Sequence, residues 1–482
     1  MIEDSDTPDT ADGQPQVPPK RAPHRVWAGP HKWEGEAAPV PDDNGDFGRH
    51  RQHIEPWLSA LMQADHVSLL LGSGLTTGLA LAAGAPALDM RRASFDAACA
   101  EAVDAAAMDS AKRMMRGEPN IEDQIRAVSD LLAGLDVLHR APTPPTDATT
   151  DKAFQDRVAE LRRDWRSALD QQLTAFVRGV LQTERGILSA LTDRTEGGLQ
   201  RANELRRLVA GFFLAFASRA PSRERLHVFT TNYDRLVEFG SDLLGLRIVD
   251  RFVGSVAPIF RSSRLGIDFH YNPPGIRGEP RYLEGVIRLT KLHGSIDWQW
   301  SEGPSGSREV RRVPLPFGAP DDHPEVPATP GQSLMIYPNS AKDVETSEYP
   351  YAELFRDLAG AVCQPNAVLV AYGYGFGDDH VNRVIADMLT IPSTHLAIIS
   401  FDDAGGRIPD FCERVGRPEQ MTLLIGQHFG DLRTVVEHYL PKPAIDRNTY
   451  RMAELLRKRP EHLQPTHPDS HGPDQPESEV SP

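Results

Sequence analysis

The sequence predicts an α/β fold: a Rossmann-like, doubly wound parallel sheet. Short apolar runs recur along the chain, long enough for buried strands and too short for independent helices. Most run straight into a polar or glycine-rich turn. Where a clear pattern follows the turn it is helical, so strand and helix alternate as in a parallel sheet covered on both faces.

The first strand is HVSLLL (66–71), which enters GSGLTTGLA. The second is LHVFTT (226–231), followed by a helix through Leu244. A third lies within GVIRLTKLHG (285–294), and LMIYP (334–338) reads as a short fourth. AVLVAYGYG (367–375) is the fifth, and Val381, Val384, Ile385, Met388 and Leu389 then recur at helical spacing. HLAIIS (395–400) and MTLLIG (421–426) complete the series.

One stretch breaks the rhythm. From about 92 to 222 the pattern is helical, with long amphipathic segments at 154–181 and 204–218 and the spacer APTPPTDATT at 141–150. It reads as an all-helical module inserted between the first and second strands. A second insertion, about 302–332, is rich in Pro and Gly and is expected to be a surface loop. Residues 1–50 are acidic and Pro-rich, and are expected to be disordered or to order on a partner. Residues 441–482 are expected to hold a helix and then a disordered tail, which leaves 51–440 as the folded domain.

The composition narrows the function. The 482-residue chain carries a net charge of −16 and shows no long basic run; Arg451–Arg459 holds four cations in nine residues. Direct nucleic-acid binding is not expected. The three cysteines, Cys99, Cys363 and Cys412, are far apart and form no C-x-x-C pair. They give neither a four-cysteine zinc site nor a disulfide framework, which fits a reducing cytoplasm. No apolar run approaches the roughly 18 residues of a membrane span, and no secretory signal is visible.

Four turns can carry chemistry. Gly72-Ser73-Gly74 follows the first strand and precedes a helix, where backbone amides and the helix dipole favour phosphate. The G-x-G-x-x-G spacing is incomplete, since the third glycine is Gly78, and a tight turn explains the motif equally well. Thr230-Thr231-Asn232-Tyr233-Asp234 ends the second strand. Asn232 offers an amide at a strand's carboxyl end, whereas Asp234 suits a helix cap. His293 ends the third strand and is either a general base or a hydrogen-bonded core histidine. Gly373, Gly375 and Gly377 alternate with Tyr374 and Phe376 after the fifth strand. Asp378, Asp379 and His380 then read as capping and loop anchoring rather than as metal ligands, with Asp379 suited to the N-cap.

These four turns, in this order and register, resemble a sirtuin-like domain, most closely the bacterial antiviral sirtuin-like proteins. Asn120-Ile121-Glu122, Tyr337-Pro338 and His380-Val381-Asn382 agree with the same family. The resemblance spans about 55–430, and within the family it is nearest to the partner of a HerA-type hexameric ATPase. It implies NAD as substrate, while the missing cysteines, a departure from the family, mean that no zinc is expected. By carry-over, Asn232 and His293 are catalytic. Gly72, Ser73 and Gly74 contact the diphosphate region, Asp234 helps shape the site, Gly375 and Phe376 match a late nucleotide-contacting loop, and Thr76, Thr231 and Gly373 are further cofactor-binding candidates. Asp402 is a candidate for the adenosine ribose. Deacylases of the family usually carry four zinc-binding cysteines in a small domain. Here the helical module stands in that place, which favours NAD hydrolysis over NAD-dependent deacylation or ADP-ribosyl transfer, and the intact Asn232 and His293 argue against a non-catalytic scaffold. The resemblance also implies a homo-oligomer.

Overall fold

A computed structural model describes residues 24–41, 47–88, 90–114, 117–140, 148–219, 223–263, 268–271, 281–303, 308–336 and 349–442. Its strands are β1 (His24–Ala28), β2 (His31–Gly35), β3 (His66–Leu71), β4 (His227–Thr230), β5 (Arg247–Val249), β6 (Phe252–Val253), β7 (Ile259–Phe260), β8 (His270–Tyr271), β9 (Arg281–Tyr282), β10 (Val286–Lys291), β11 (Gly294–Glu302), β12 (Arg308–Arg312), β13 (Leu334–Ile336), β14 (Ala367–Tyr372), β15 (His395–Ser400) and β16 (Met421–Ile425).

Nine strands form the main sheet, in the order β2-β1-β16-β15-β14-β3-β4-β10-β5. The seven from β16 to β5 are parallel. With the short edge strand β5 set aside, the order from β10 to β16 is the doubly wound 3-2-1-4-5-6. Its direction of growth reverses between β3 and β14, which is where such sheets open a ligand crevice.

Register brings the strand ends level. Leu71 pairs with Tyr372 on one side and Thr230 on the other, and Thr230 pairs with Lys291. The four turns singled out in the sequence therefore leave the sheet side by side.

Side chains alternate across the sheet because strand residues point to opposite faces. Leu69, Leu71, Val368 and Val370 face one core, whereas Leu70, Leu369 and Ala371 face the other. The first core is closed by Ile54 and Leu58 of α1 (Gly48–Leu61), Leu75 and Leu79 of α2 (Ser73–Ala83), and Phe212 and Phe216 of a later helix. The second is closed by the helices Tyr351–Val362, Asp379–Met388 and Arg407–Val415.

Between β3 and β4 run α3 (Ala100–Arg113), α4 (Ile121–Arg140), α5 (Ala148–Thr192) and α6 (Glu196–Ala217). Helix α5 is longer than its amphipathic core predicts. Its last turns pass Gly186, where a Cβ would meet the Ala85 Cβ at 2.5 Å. That glycine marks a close approach rather than a helix end. Among the described residues no helix is long and apolar enough to cross a membrane.

Three expectations change. Residues 24–35, within the expected N-terminal arm, form a hairpin whose β1 pairs antiparallel with β16. Its apolar side chains are spaced by charged ones, the pattern of an edge rather than a buried strand. β13 belongs not to the parallel sheet but to a second, antiparallel one, ordered β13-β11-β12-β7-β6. Gly294 permits this contact: it has φ +82°, and a Cβ there would meet Met335 O at 2.0 Å. The expected surface loop at 302–332 contains β12 and buries Val310, Leu315 and Ala319. Tyr337-Pro338 and the stretch 443–482 lie outside the described residues.

The hairpin gathers histidines against α1. His31 Nε2 lies 3.4 Å from His50 Nδ1, and the His31 ring stacks on His53 at 4.3 Å. Burial, then His53 and Arg49, lowers the pKa of His31. Burial, then His31 and other neighbours, lowers His50 to about 4. A histidine with a lower pKa folded than unfolded binds fewer protons when folded. Its contribution is complete above the unfolded value of 6.5 and is lost as pH falls toward the folded one. Thermal stability is therefore expected to decline between about pH 6.5 and 4, and less so in His50→Gln. Paired melting series of the two chains, in which the other titrating groups cancel, check this.

Candidate functional site

Two glycine turns interlock at the sheet's switch point. A Cβ on Gly72 would meet Gly373 O at 2.3 Å, and one on Gly74 would meet Gly373 Cα at 2.5 Å. The Gly74 amide donates to Gly373 O at 3.1 Å. Gly373 itself takes φ +60°. These glycines are required by backbone-to-backbone contact between the ends of β3 and β14, not first by a ligand. The interlock sets the amino end of α2, which has no side-chain cap bond and no acid in its first turn, beside a cavity.

The cavity measures about 250 Å³. The β3 turn and α2 contribute Gly72, Ser73 and Thr76, and the β4 turn contributes Thr231, Asn232 and Asp234. His293 enters from the β10 end, with Gly375 and Asp378 from the β14 turn. Leu88, Met90, Asn120 and Glu122 also line the cavity.

The polar turn after β4 is accounted for group by group. Thr230 Oγ1 donates to Leu71 O at 3.0 Å and accepts the Asn232 amide at 3.0 Å, which stitches the turn to β3. Asp234 Oδ1 accepts from Leu236 N at 3.1 Å at the start of α7 (Leu236–Leu244), and Oδ2 accepts from Thr76 Oγ1 at 2.6 Å. Having donated to Asp234, the Thr76 oxygen accepts from Asn232 Nδ2 at 3.0 Å. Nδ2 also donates to Gly72 O at 2.9 Å. Both donors of the Asn232 amide are thereby committed, and its Oδ1, an acceptor, has no partner among the described residues. The Tyr233 hydroxyl donates to Glu122 Oε1 at 3.0 Å, and its ring packs edge-on to Phe176. Burial and the Glu122 carboxylate push this phenol's pKa well up, so it stays a donor.

His293 sits in the two-residue turn between β10 and β11 and is 7% exposed. Its Nε2 lies 2.7 Å from Asp378 Oδ2, while Nδ1 is buried with no partner among the described residues. Lys291 Nζ, 1% exposed, holds the neighbouring turn by donating to Asp234 O and to Glu238 Oε1.

Four sequence candidates stand back from the cavity wall. Gly74 and Gly373 are spent on each other. Phe376, with φ +51°, is 3% exposed and packs between Tyr374 and Phe411. Asp402 is exposed and accepts from Ala404 N at 2.9 Å. The N-cap of Asp379–Met388 is Asp378, not Asp379. Arg407 escaped the sequence reading. It lines the cavity and donates from Nε to Gly375 O at 2.6 Å, and nothing local marks it out from other loop arginines.

Residues 226–416 match a family described as SIR2-like domain. The matched segment contains Asn232, His293, Gly375, Asp378 and Arg407; the β3 turn and the helices α3–α6 precede it. No curated protein matches the chain. SIR2-like domains bind NAD, and many are NAD-using enzymes, so the match fits an NAD-related function.

Proposed function

We propose that the chain hydrolyses the nicotinamide–ribose bond of NAD, releasing nicotinamide and ADP-ribose. One observation carries this reading. Two partnerless atoms, Asn232 Oδ1 and His293 Nδ1, belong to side chains of one cavity that also receives an uncapped helix amino end.

The residues present fit the dinucleotide. The amino end of α2 and the Arg407 guanidinium suit its diphosphate. The orphaned Nδ1 of His293 asks for a donor, which a ribose hydroxyl or a water supplies. Breaking the glycosidic bond places positive charge on the sugar as nicotinamide departs neutral with the bonding pair. Acceptors and carboxylates around the ribose stabilise that charge. Water then bonds to the anomeric carbon and passes its proton to an acceptor, for which His293 is the basic candidate. The cysteines lie on separate elements, Cys99 exposed and Cys363 and Cys412 half-buried, which gives no support to a zinc-braced peptide cleft.

Incubation of the purified chain with NAD tests the reading. Nicotinamide and free ADP-ribose in equal amounts support hydrolysis. Acetyl-ADP-ribose from an added acetylated peptide indicates deacylation instead. Binding by calorimetry with no product indicates a scaffold, and neither binding nor product sinks the NAD reading. The resemblance extends the proposal to antiphage defence by NAD depletion, as a homo-oligomer joined to a HerA-type ATPase. A neighbouring gene for such an ATPase supports that partner, and its absence favours an enzyme acting alone.

A further inference from the structure

We infer that Asp378 is a positioning residue that fixes the tautomer of His293 and makes Nδ1, not Nε2, the proton acceptor of the site. Only the turnover arm of the test rests on the NAD reading.

The carboxylate divides its two oxygens between two tasks. Oδ1 caps the helix Asp379–Met388, accepting from His380 N at 2.9 Å and Val381 N at 3.3 Å. Oδ2 faces His293 Nε2 at 2.7 Å. Both side chains are buried, Asp378 at 5% and His293 at 7% exposure. An ionised carboxylate only accepts, so Nε2 must carry the hydrogen. A neutral ring then has its lone pair on Nδ1, the nitrogen with no partner among the described residues. The loop holding Asp378 is itself pinned. The Tyr374 hydroxyl lies 3.2 Å from Asp378 O and 3.0 Å from Asn382 Oδ1, and Asn382 Nδ2 donates to Phe376 O at 3.0 Å. When Nδ1 takes a proton from water or a ribose hydroxyl, Nε2–H stays on the ring. Asp378 remains a carboxylate beside the imidazolium, as in a Ser-His-Asp triad.

Asp378→Asn is the informative change. Asparagine caps a helix as well as aspartate does, so its oxygen keeps the cap. Its NH2 then faces Nε2 and forces the hydrogen onto Nδ1, as in the equivalent triad substitution. Long-range proton–nitrogen NMR on histidine-labelled protein, with His293 assigned by its loss in His293→Gln, reads the tautomer without turnover. The expected result is Nε2–H in the parent and Nδ1–H in Asp378→Asn. Nicotinamide release is expected to fall about 10²–10³-fold in kcat, within the range a general base contributes. The Kd for NAD is expected to stay within about twofold, since the change alters a proton's position and not the cavity's shape. Asp379→Asn, next door and exposed, keeps parental values. Asp378→Ser, which retains a capping hydroxyl and removes the carboxylate, is expected to lose kcat likewise if the asparagine form folds poorly. A parent carrying Nδ1–H overturns the proposal, as does Asp378→Asn with parental tautomer or kcat. If the parent releases no nicotinamide, the NAD reading fails while the NMR arm still decides the role of Asp378.

Discussion

Asn232→Ala and His293→Ala are each expected to lower nicotinamide release by about 10³-fold or more while leaving a folded chain. Neither side chain is a packing keystone. Asn232 is half-buried, and its loss removes the bonds to Gly72 O and Thr76 Oγ1, a cost of about 1–2 kcal/mol. Removing His293 takes one partner from the carboxylate of Asp378, a residue that lines the cavity, at a cost of about 1–3 kcal/mol. Circular dichroism and urea midpoints near the parent's, together with lost turnover, separate a chemical from a structural defect. Parental rates in both variants would remove the assigned roles. The two should differ in one respect. Asn232 holds an oxygen at a fixed place through a one-way chain, from its amide to Thr76 to Asp234, so breaking that chain at Thr76 should weaken turnover without touching the acceptor itself.

Glu184→Ala is expected to cost about 3–5 kcal/mol of stability, a large part of the 5–15 kcal/mol typical of a folded domain. Glu184 projects from α5 with no exposure and meets Arg235, 5% exposed, at the start of α7. Glu184 Oε1 accepts from the Arg235 backbone N at 2.9 Å, and Oε2 accepts from Gly318 N at 3.0 Å. Arg235 also donates to Leu315 O and Pro316 O. Deleting the carboxylate leaves a buried guanidinium without its counter-charge, which is what makes the change severe. Arg235 follows Asp234 directly, so the loosened turn is the one that presents Asn232. Urea unfolding should show the lowered midpoint, and NAD affinity should fall with it. Glu184→Gln, which keeps the acceptor and the shape, should lose less. An unchanged midpoint in Glu184→Ala would show that the pair does not brace the turn.

The parallel strands were legible because strands covered on both faces read as unbroken apolar runs, as HVSLLL and AVLVAY do. The catalytic candidates were legible because polar groups directly after such runs have few structural reasons to be there. What escaped was built from weaker signals. β6 and β7 are two residues each, too short to show a period. β1 and β2 mix Trp and Val with Arg, Lys and Glu, which in sequence looks like any polar arm. Gly72, Gly74 and Gly373 were legible as glycines at a close approach, but their contact with one another was not. Gly72 and Gly74 each meet Gly373, about 300 residues away in the chain, and nothing local in the sequence signals so distant a contact. Asp378 was placed one residue late as a cap, since two adjacent aspartates give the same local signal.

That glycine contact decides where the protein can yield. A cavity of about 250 Å³ sits just below the roughly 300–1,000 Å³ usual for organic ligands. At the glycine contact the ends of β3 and β14 meet main chain to main chain, with no side chain between them to rotate aside. The other wall is lined by side chains instead: Leu88 and Met90 lie on an irregular segment whose Met90 O accepts from Ile121 N at 3.0 Å, and Glu122 accepts from the Tyr233 hydroxyl. On the NAD reading proposed above, any added room is expected from the side chains of that wall and not from the glycine contact.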